Sequence, residues 1–160
     1  MNKEFLNVHI GEVKVTKKPL VLKALLGSCV GIAIIWRQRK VCGLAHCLLP
    51  LAPNKSFDIG GRFVNQAVAS LLALMKATPP NYAELEVVVA GGGNMTSAKG
   101  GNVALLIGTQ NSAQAIEEFK KLKIKISFID IGGDHGRRIF LNAADLSWKI
   151  ETIPRIGVAV

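Results

Sequence analysis

The alternation of apolar and polar positions divides the chain into many short strands and two helices. Phe5 to Val15 alternates loosely, which predicts one strand or a short pair broken at Gly11. Leu20 to Leu26 and Val30 to Trp36 are aliphatic and β-branched almost throughout. They predict two buried strands, with Gly27-Ser28-Cys29 as the bend between them. Arg37 to Lys40 reads as a polar turn, and Val41 to Leu49 as a further strand ended by Pro50. Leu51 to Gly61, rich in Pro, Gly, Asn and Asp, is a loop. Arg62 to Lys76 then repeats at helical spacing, with Val64, Ala67, Val68, Leu71, Leu74 and Met75 on one face. Pro79 and Pro80 stop that helix.

Leu85 to Ala90 predicts a strand that runs into the glycines Gly91 to Gly93. A loop over Asn94 to Asn102 and a short strand around Val103 to Ile107 follow. Asn111 is placed to cap a second helix, with Gln114 at capping-box spacing and Ile116, Phe119 and Leu122 as its buried stripe. Ile124 to Ile131 predicts a strand, and Gly132 to Gly136 a turn. Arg138 to Leu141 and Trp148 to Ile153 make a closing hairpin. Two helices among this many strands predict one mixed α+β layered domain spanning residues 1–160.

Composition narrows the class. A chain of 160 residues, 49% hydrophobic and 19% charged, buries a core without needing disulfides or metals. The opening "MNKEFLNVHIGE" has neither an apolar signal core nor a small-residue cleavage site, and no run is apolar enough for a membrane helix. Three cysteines, an odd number, do not form a secreted disulfide framework; a reducing cytoplasm with free thiols is the expectation. The net charge of +9 raises nucleic acid as a partner. Its basic residues are scattered in small groups, however, and only 6% of residues are aromatic, thin for base stacking. An acidic protein partner fits the charge equally well.

Cys29 and His46 are the candidate chemistry. A cysteine just after a glycine bend can expose its sulfur, with main-chain N–H groups nearby to hold an oxyanion. Gly27 and Ser28 would shape that hole. Taken alone, the residues favour a Cys29 that merely packs, since free cysteine is among the most buried residue types. In an extended strand Cys42, Leu44, His46 and Leu48 share one face, and Val41, Gly43, Ala45 and Cys47 the other. A histidine beside a thiol can take its proton, and the resulting ion pair lowers the thiol pKa. Zinc is the rival use of Cys29, Cys42, His46 and Cys47. Strand parity turns Cys47 away, and no chelate pair at the usual spacing is present. "AGGGNM" lacks both the third glycine of a dinucleotide site and the Gly-Lys-Ser/Thr of a P-loop, so it reads as a tight strand exit.

"LLGSCVGIAI", "GLAHCLLP", "AGGGNM", "IGTQN" and "DIGGDHGRR" occur in that order, after an opening "IGE". In this the chain resembles the CheD family, the chemoreceptor glutamine deamidases of bacterial and archaeal chemotaxis. The resemblance implies a compact α/β layered sandwich of mixed sheets with two main helices, similar to certain deamidating toxins. It implies Cys29 as nucleophile and His46 as acid and base, with no metal or organic cofactor. It implies methyl-accepting chemoreceptors as substrate, on their cytoplasmic helices, and a CheC-like phosphatase as a further partner, without membrane insertion. Receptor helices of acidic character would suit a basic enzyme. The chain departs from the family five and six positions before the cysteine, where a threonine or serine is usual as third active-site member. Those positions hold Ala24 and Lys23. A frequent Tyr-x-Asp also reads Phe63-Val64-Asn65, and the stretch before "IGTQN" is a few residues longer. Two readings follow: an active cysteine amidohydrolase, or a catalytically weak relative that mainly binds a chemotaxis partner.

Overall fold

A computed structural model of the protein describes residues 3–54, 58–95 and 106–154. Among the described residues, nine strands form two mixed sheets. The first four-stranded sheet has the order β1-β3-β8-β9, from β1 (Glu4–Asn7), β3 (Leu20–Leu26), β8 (Gly136–Asn142) and β9 (Ser147–Ile153). The second has the order β2-β5-β4-β6-β7, from β2 (Val13–Thr16), β5 (Val41–Cys47), β4 (Val30–Trp36), β6 (Glu86–Gly91) and β7 (Phe128–Ile131). Helices α1 (Val64–Met75) and α2 (Ile107–Leu122) cover one face of the five-stranded sheet. The four-stranded sheet packs on the other face. The result is a mixed α/β layered sandwich, as the sequence predicts, and its layers number three.

Every residue of β4 and β5 is buried. These strands are covered on both faces, which is why their sequences run apolar instead of alternating. Alternate side chains enter two separate cores. Ile32, Ile34, Ala45 and Cys47 meet the helices. Ala33, Ile35, Cys42 and Leu44 meet Leu22, Leu26, Ile139 and Leu141 of the other sheet.

Several elements differ from the sequence expectation for identifiable reasons. Phe5 to Val15 does divide at Gly11, which has φ +86°, but its halves β1 and β2 join different sheets. Helix α1 buries Leu72 and leaves Leu74 exposed, because it packs against β2 as well as β5. Helix α2 starts at Ile107, so Asn111 lies inside it and caps nothing. Gly108 allows the early start: its α-carbon sits against the main chain of Gly92 and Gly93, where no side chain fits. The buried stripe of α2 therefore runs through Gly108, Asn111, Ser112, Ala115 and Phe119, and Ile116 is exposed. The strand expected over Ile124 to Ile131 is shorter, β7 alone; Ile124 instead closes the end of α2, its N–H donating to Phe119 O at 3.0 Å. Pro79–Glu84, past the end of α1, form a 3-10 helix, since proline suits a first helical turn. The strand expected around Val103 falls mostly outside the described residues, and Ile107 is helical.

Candidate active site

The chain crosses from the four-stranded to the five-stranded sheet at Gly27-Ser28-Cys29, between β3 and β4. Main-chain hydrogen bonds hold this bend from behind. Gly92 N donates to Cys29 O and Gly93 N to Gly27 O, each at 2.9 Å. Gly91 has φ +110°, and a methyl group there would overlap the Cys29 carbonyl oxygen. The glycine cluster thus serves as a backing for the bend. Arg137 of β8, almost fully buried, pairs with Asp130 of β7 at 3.1 Å and donates to Gly91 O at 3.3 Å. It fastens the two sheets beneath the same point.

Asn111 is the residue that sequence reasoning missed. Wholly buried on α2, it donates through Nδ2 to Ser28 O at 3.1 Å and to Leu48 O at 3.0 Å. It therefore joins the segment entering β4 to the one leaving β5. The available signal was periodic: Gly108, Asn111, Ala115 and Phe119 mark one helical stripe, and a polar residue within such a stripe calls for a partner.

His46 lies in β5, paired in register with Gly31, and is 4% exposed. Parity places it on the side of Cys42 and Leu44, facing the four-stranded sheet, and Cys29 belongs to that same core. Cys47 faces the helices, so the four zinc candidates do not converge. The main chain of residues 8–12 wraps His46. Gly11 N donates to its carbonyl at 2.8 Å, and its own N–H donates to Glu12 O at 3.0 Å. Its Nδ1 stands 2.8 Å from Val8 O. A carbonyl only accepts, so Nδ1 carries the proton and Nε2 keeps the lone pair. Nε2 is buried with no hydrogen-bond partner among the described residues.

The electrostatics correct one expectation. Burial pushes the Cys29 thiol above its ordinary pKa. Burial also lowers His46, against which the Val8 hydrogen bond acts in the other direction. Both shifts favour neutral forms, the reverse of a resting thiolate–imidazolium pair. Burial raises the other thiols as well, Cys42 to about 11 and Cys47 further still.

Neither residue at the third-member positions supplies a hydroxyl to the histidine. Ala24 is buried between the sheets. Lys23 points outward, its ammonium 5.3 Å from the centre of the Phe5 ring, while its carbonyl accepts from Val8 N at 2.8 Å. A depression reaches His46 from solvent between Val8, Ile10, Lys23 and Leu25. Ile10 and Leu25 on its rim are among the most exposed large apolar residues described.

The family model described as CheD chemotactic sensory transduction matches residues 48–152. "Probable chemoreceptor glutamine deamidase CheD" of Bdellovibrio bacteriovorus is 36% identical over 149 residues, 93% of this chain and 95% of its own. "Probable chemoreceptor glutamine deamidase CheD 2" of Ruegeria sp. is 36% identical over 171 residues, 97% of this chain and 96% of its own. Both spans leave too few residues outside to miss Cys29 or His46. Among solved structures, the hypothetical protein YfiH of Bacillus licheniformis matches with a TM-score of 0.39 and 12% identity. That match covers 74% of this chain and 49% of that one, and is too remote to carry an argument. No helix of the described residues is long and apolar enough to cross a membrane.

Proposed function

The chain belongs to the CheD family, and on that premise we propose that it is a chemoreceptor glutamine deamidase with Cys29 as nucleophile and His46 as acid and base. The observation that carries this assignment is the state of His46. Its Nδ1 is fixed by Val8 O, and its Nε2 is left without a partner on the side of the sheet that holds Cys29. A neutral, oriented imidazole on the same side of the sheet as a neutral thiol is suited to general-base activation on substrate binding.

The steps balance as follows. Nε2 takes the Cys29 proton as the sulfur forms a bond to the carboxamide carbon, and the carbonyl oxygen becomes an oxyanion. Main-chain N–H groups of the Gly27-Ser28-Cys29 bend hold that oxyanion. The C–N bond breaks, the imidazolium returns its proton to the nitrogen, and ammonia leaves a thioester. A water then gives its proton to His46 and adds to the thioester. Collapse releases glutamate, and the sulfur recovers its proton. No metal or organic cofactor enters these steps.

The Val8 carbonyl supports the active reading over a purely binding relative, because it does for the imidazole what a threonine hydroxyl would do. The substrate is a glutamine side chain on the cytoplasmic helices of a methyl-accepting chemoreceptor, which assigns the protein to the cytoplasm. A CheC-like phosphatase is the further partner in this reading, and residues 1–160 act as one domain. Mass spectrometry of receptor fragments tests it. Each converted glutamine gains about one mass unit through the thioester route. Cys29→Ala abolishes the gain, a loss of at least about a thousandfold. Wild-type protein that converts no glutamine sinks the assignment, and conversion that survives Cys29→Ala sinks the mechanism.

A further inference from the structure

We infer that Asn111 is a positioning residue that builds the oxyanion hole by fixing the Ser28–Cys29 peptide plane. This rests on the reading of Cys29 as nucleophile and deepens it. Asn111 Nδ2 holds the Ser28 carbonyl from the helix side of the five-stranded sheet. The described peptide bonds are all trans. In a trans peptide the C=O and the following N–H point in opposite directions. Holding Ser28 C=O toward α2 therefore turns Cys29 N–H toward the other side, where the Cys29 side chain and His46 lie. Cys29 N–H has no main-chain acceptor among the described residues, while Cys29 O is taken by Gly92 N. The donor that the reaction needs is thus without a main-chain acceptor among the described residues and aimed, and the group that aims it is the amide of Asn111.

The second hydrogen bond sharpens the assignment. The same Nδ2 donates to Leu48 O, two residues beyond His46. One buried amide therefore sets the spacing between the bend that carries the nucleophile and the strand end that carries the base. Neither Asn111 nor its contacts reach the reacting atoms, so its effect passes through the main chain.

The test compares two reagents on Cys29, read by mass spectrometry of the modified peptide. Iodoacetamide alkylates sulfur by displacement and forms no oxyanion. p-Nitrophenyl acetate acylates sulfur through a tetrahedral oxyanion. Asn111→Ala is expected to lower acylation about a hundredfold, the range seen when one oxyanion donor is lost, with alkylation changed less than about threefold. Should Asn111→Ala not fold, Asn111→Leu keeps similar volume without a donor and is expected to give the same split. Equal loss with both reagents means that Asn111 only packs, and overturns the inference. So does an unchanged ratio with normal wild-type acylation. Wild-type Cys29 that neither reagent modifies overturns the nucleophile reading and this inference together. Because the probe is not glutamine, failure of the deamidase assignment alone leaves the ratio readable.

Discussion

The two halves of the candidate site are built differently. The half around Cys29, the proposed nucleophile, is closed: its bend rests on Gly91, Gly92, Gly93 and Asn111, with Arg137 fastened beneath. Each of those contacts requires a particular residue, either a glycine where a side chain would overlap main chain or an amide of one length. The base's half is open. His46 is held by main-chain carbonyls and N–H groups of residues 8–12, among which only Gly11, with φ +86°, favours a particular residue, and a depression runs to it past Lys23. A site of this kind tolerates change around its base and resists change around its nucleophile. That explains how the chain can carry Lys23 and Ala24 where the family resemblance expects a hydroxyl.

The largest effect should come from Gly91. Gly91→Ala brings a β-carbon against the Cys29 carbonyl and strains a φ of +110°. Nothing flexible is available to yield, since the opposing atom is main chain. A cost of about 3 kcal/mol and a fall in Tm of about 10 °C are expected, with deamidation lost through displacement of the bend. Gly132→Ala is the control: φ is +84° but nothing lies within 4 Å of the new carbon. It should cost about 1 kcal/mol and spare the rate. Similar losses for the two variants would show that backbone strain alone matters, and the closed half would lose its distinction.

Legibility followed the same division. The strands β3, β4, β5, β8 and β9, the helix α1, and the shared side of Cys42, Leu44 and His46 are readable because burial imposes a period on the sequence. Cys29 and His46 stand out as candidates by their chemistry and by their frame. What escaped was the work of main chain and of distant elements. The Val8 carbonyl leaves no mark on residue identity. Asn111 looked like a helix cap because its neighbours have capping spacing; only the docking of Gly108 on Gly92 and Gly93 shows that the helix starts earlier. Ile116, expected inside, is outside because α2 presents its smaller residues to the sheet.

A middle-sized effect separates the two halves by pH. Burial raises Cys29 and lowers His46. Iodoacetamide reacts with thiolate, so Cys29 alkylation should keep rising with pH beyond the ordinary thiol value of about 8.5. A plateau already reached below about pH 8 would mean a resting ion pair and break the neutral-pair reading. In the proposed mechanism deamidation needs neutral His46 and should hold until pH falls below the ordinary histidine value of about 6.5. Folding stability has the same sign. A histidine with a depressed folded pKa contributes stability that is complete above about pH 6.5 and is lost as pH falls toward the folded value. His46→Asn should therefore flatten the acid side of a Tm-against-pH curve.

The smallest effect is expected where the family resemblance points to the largest, at Lys23. Lys23→Thr restores a hydroxyl at one of the two positions where the family carries one. If the imidazole lacked an orienting partner, that hydroxyl should raise kcat tenfold or more, since an unfixed tautomer is costly. But Nδ1 already meets Val8 O at 2.8 Å, and one N–H has one best acceptor. The variant loses the ammonium over the Phe5 ring, worth about 0.5–1 kcal/mol of stability. It keeps the Lys23 carbonyl that accepts from Val8 N, because that group is main chain. The expected change in kcat is below about threefold, a barrier change under about 0.7 kcal/mol. Val8→Pro is the matched opposite: it removes the N–H that ties this segment to β3, and should lower kcat more than Lys23→Thr does. A Lys23→Thr enzyme much faster than wild type would show that the main-chain acceptor is an inadequate substitute, and that the open half of the site is incomplete.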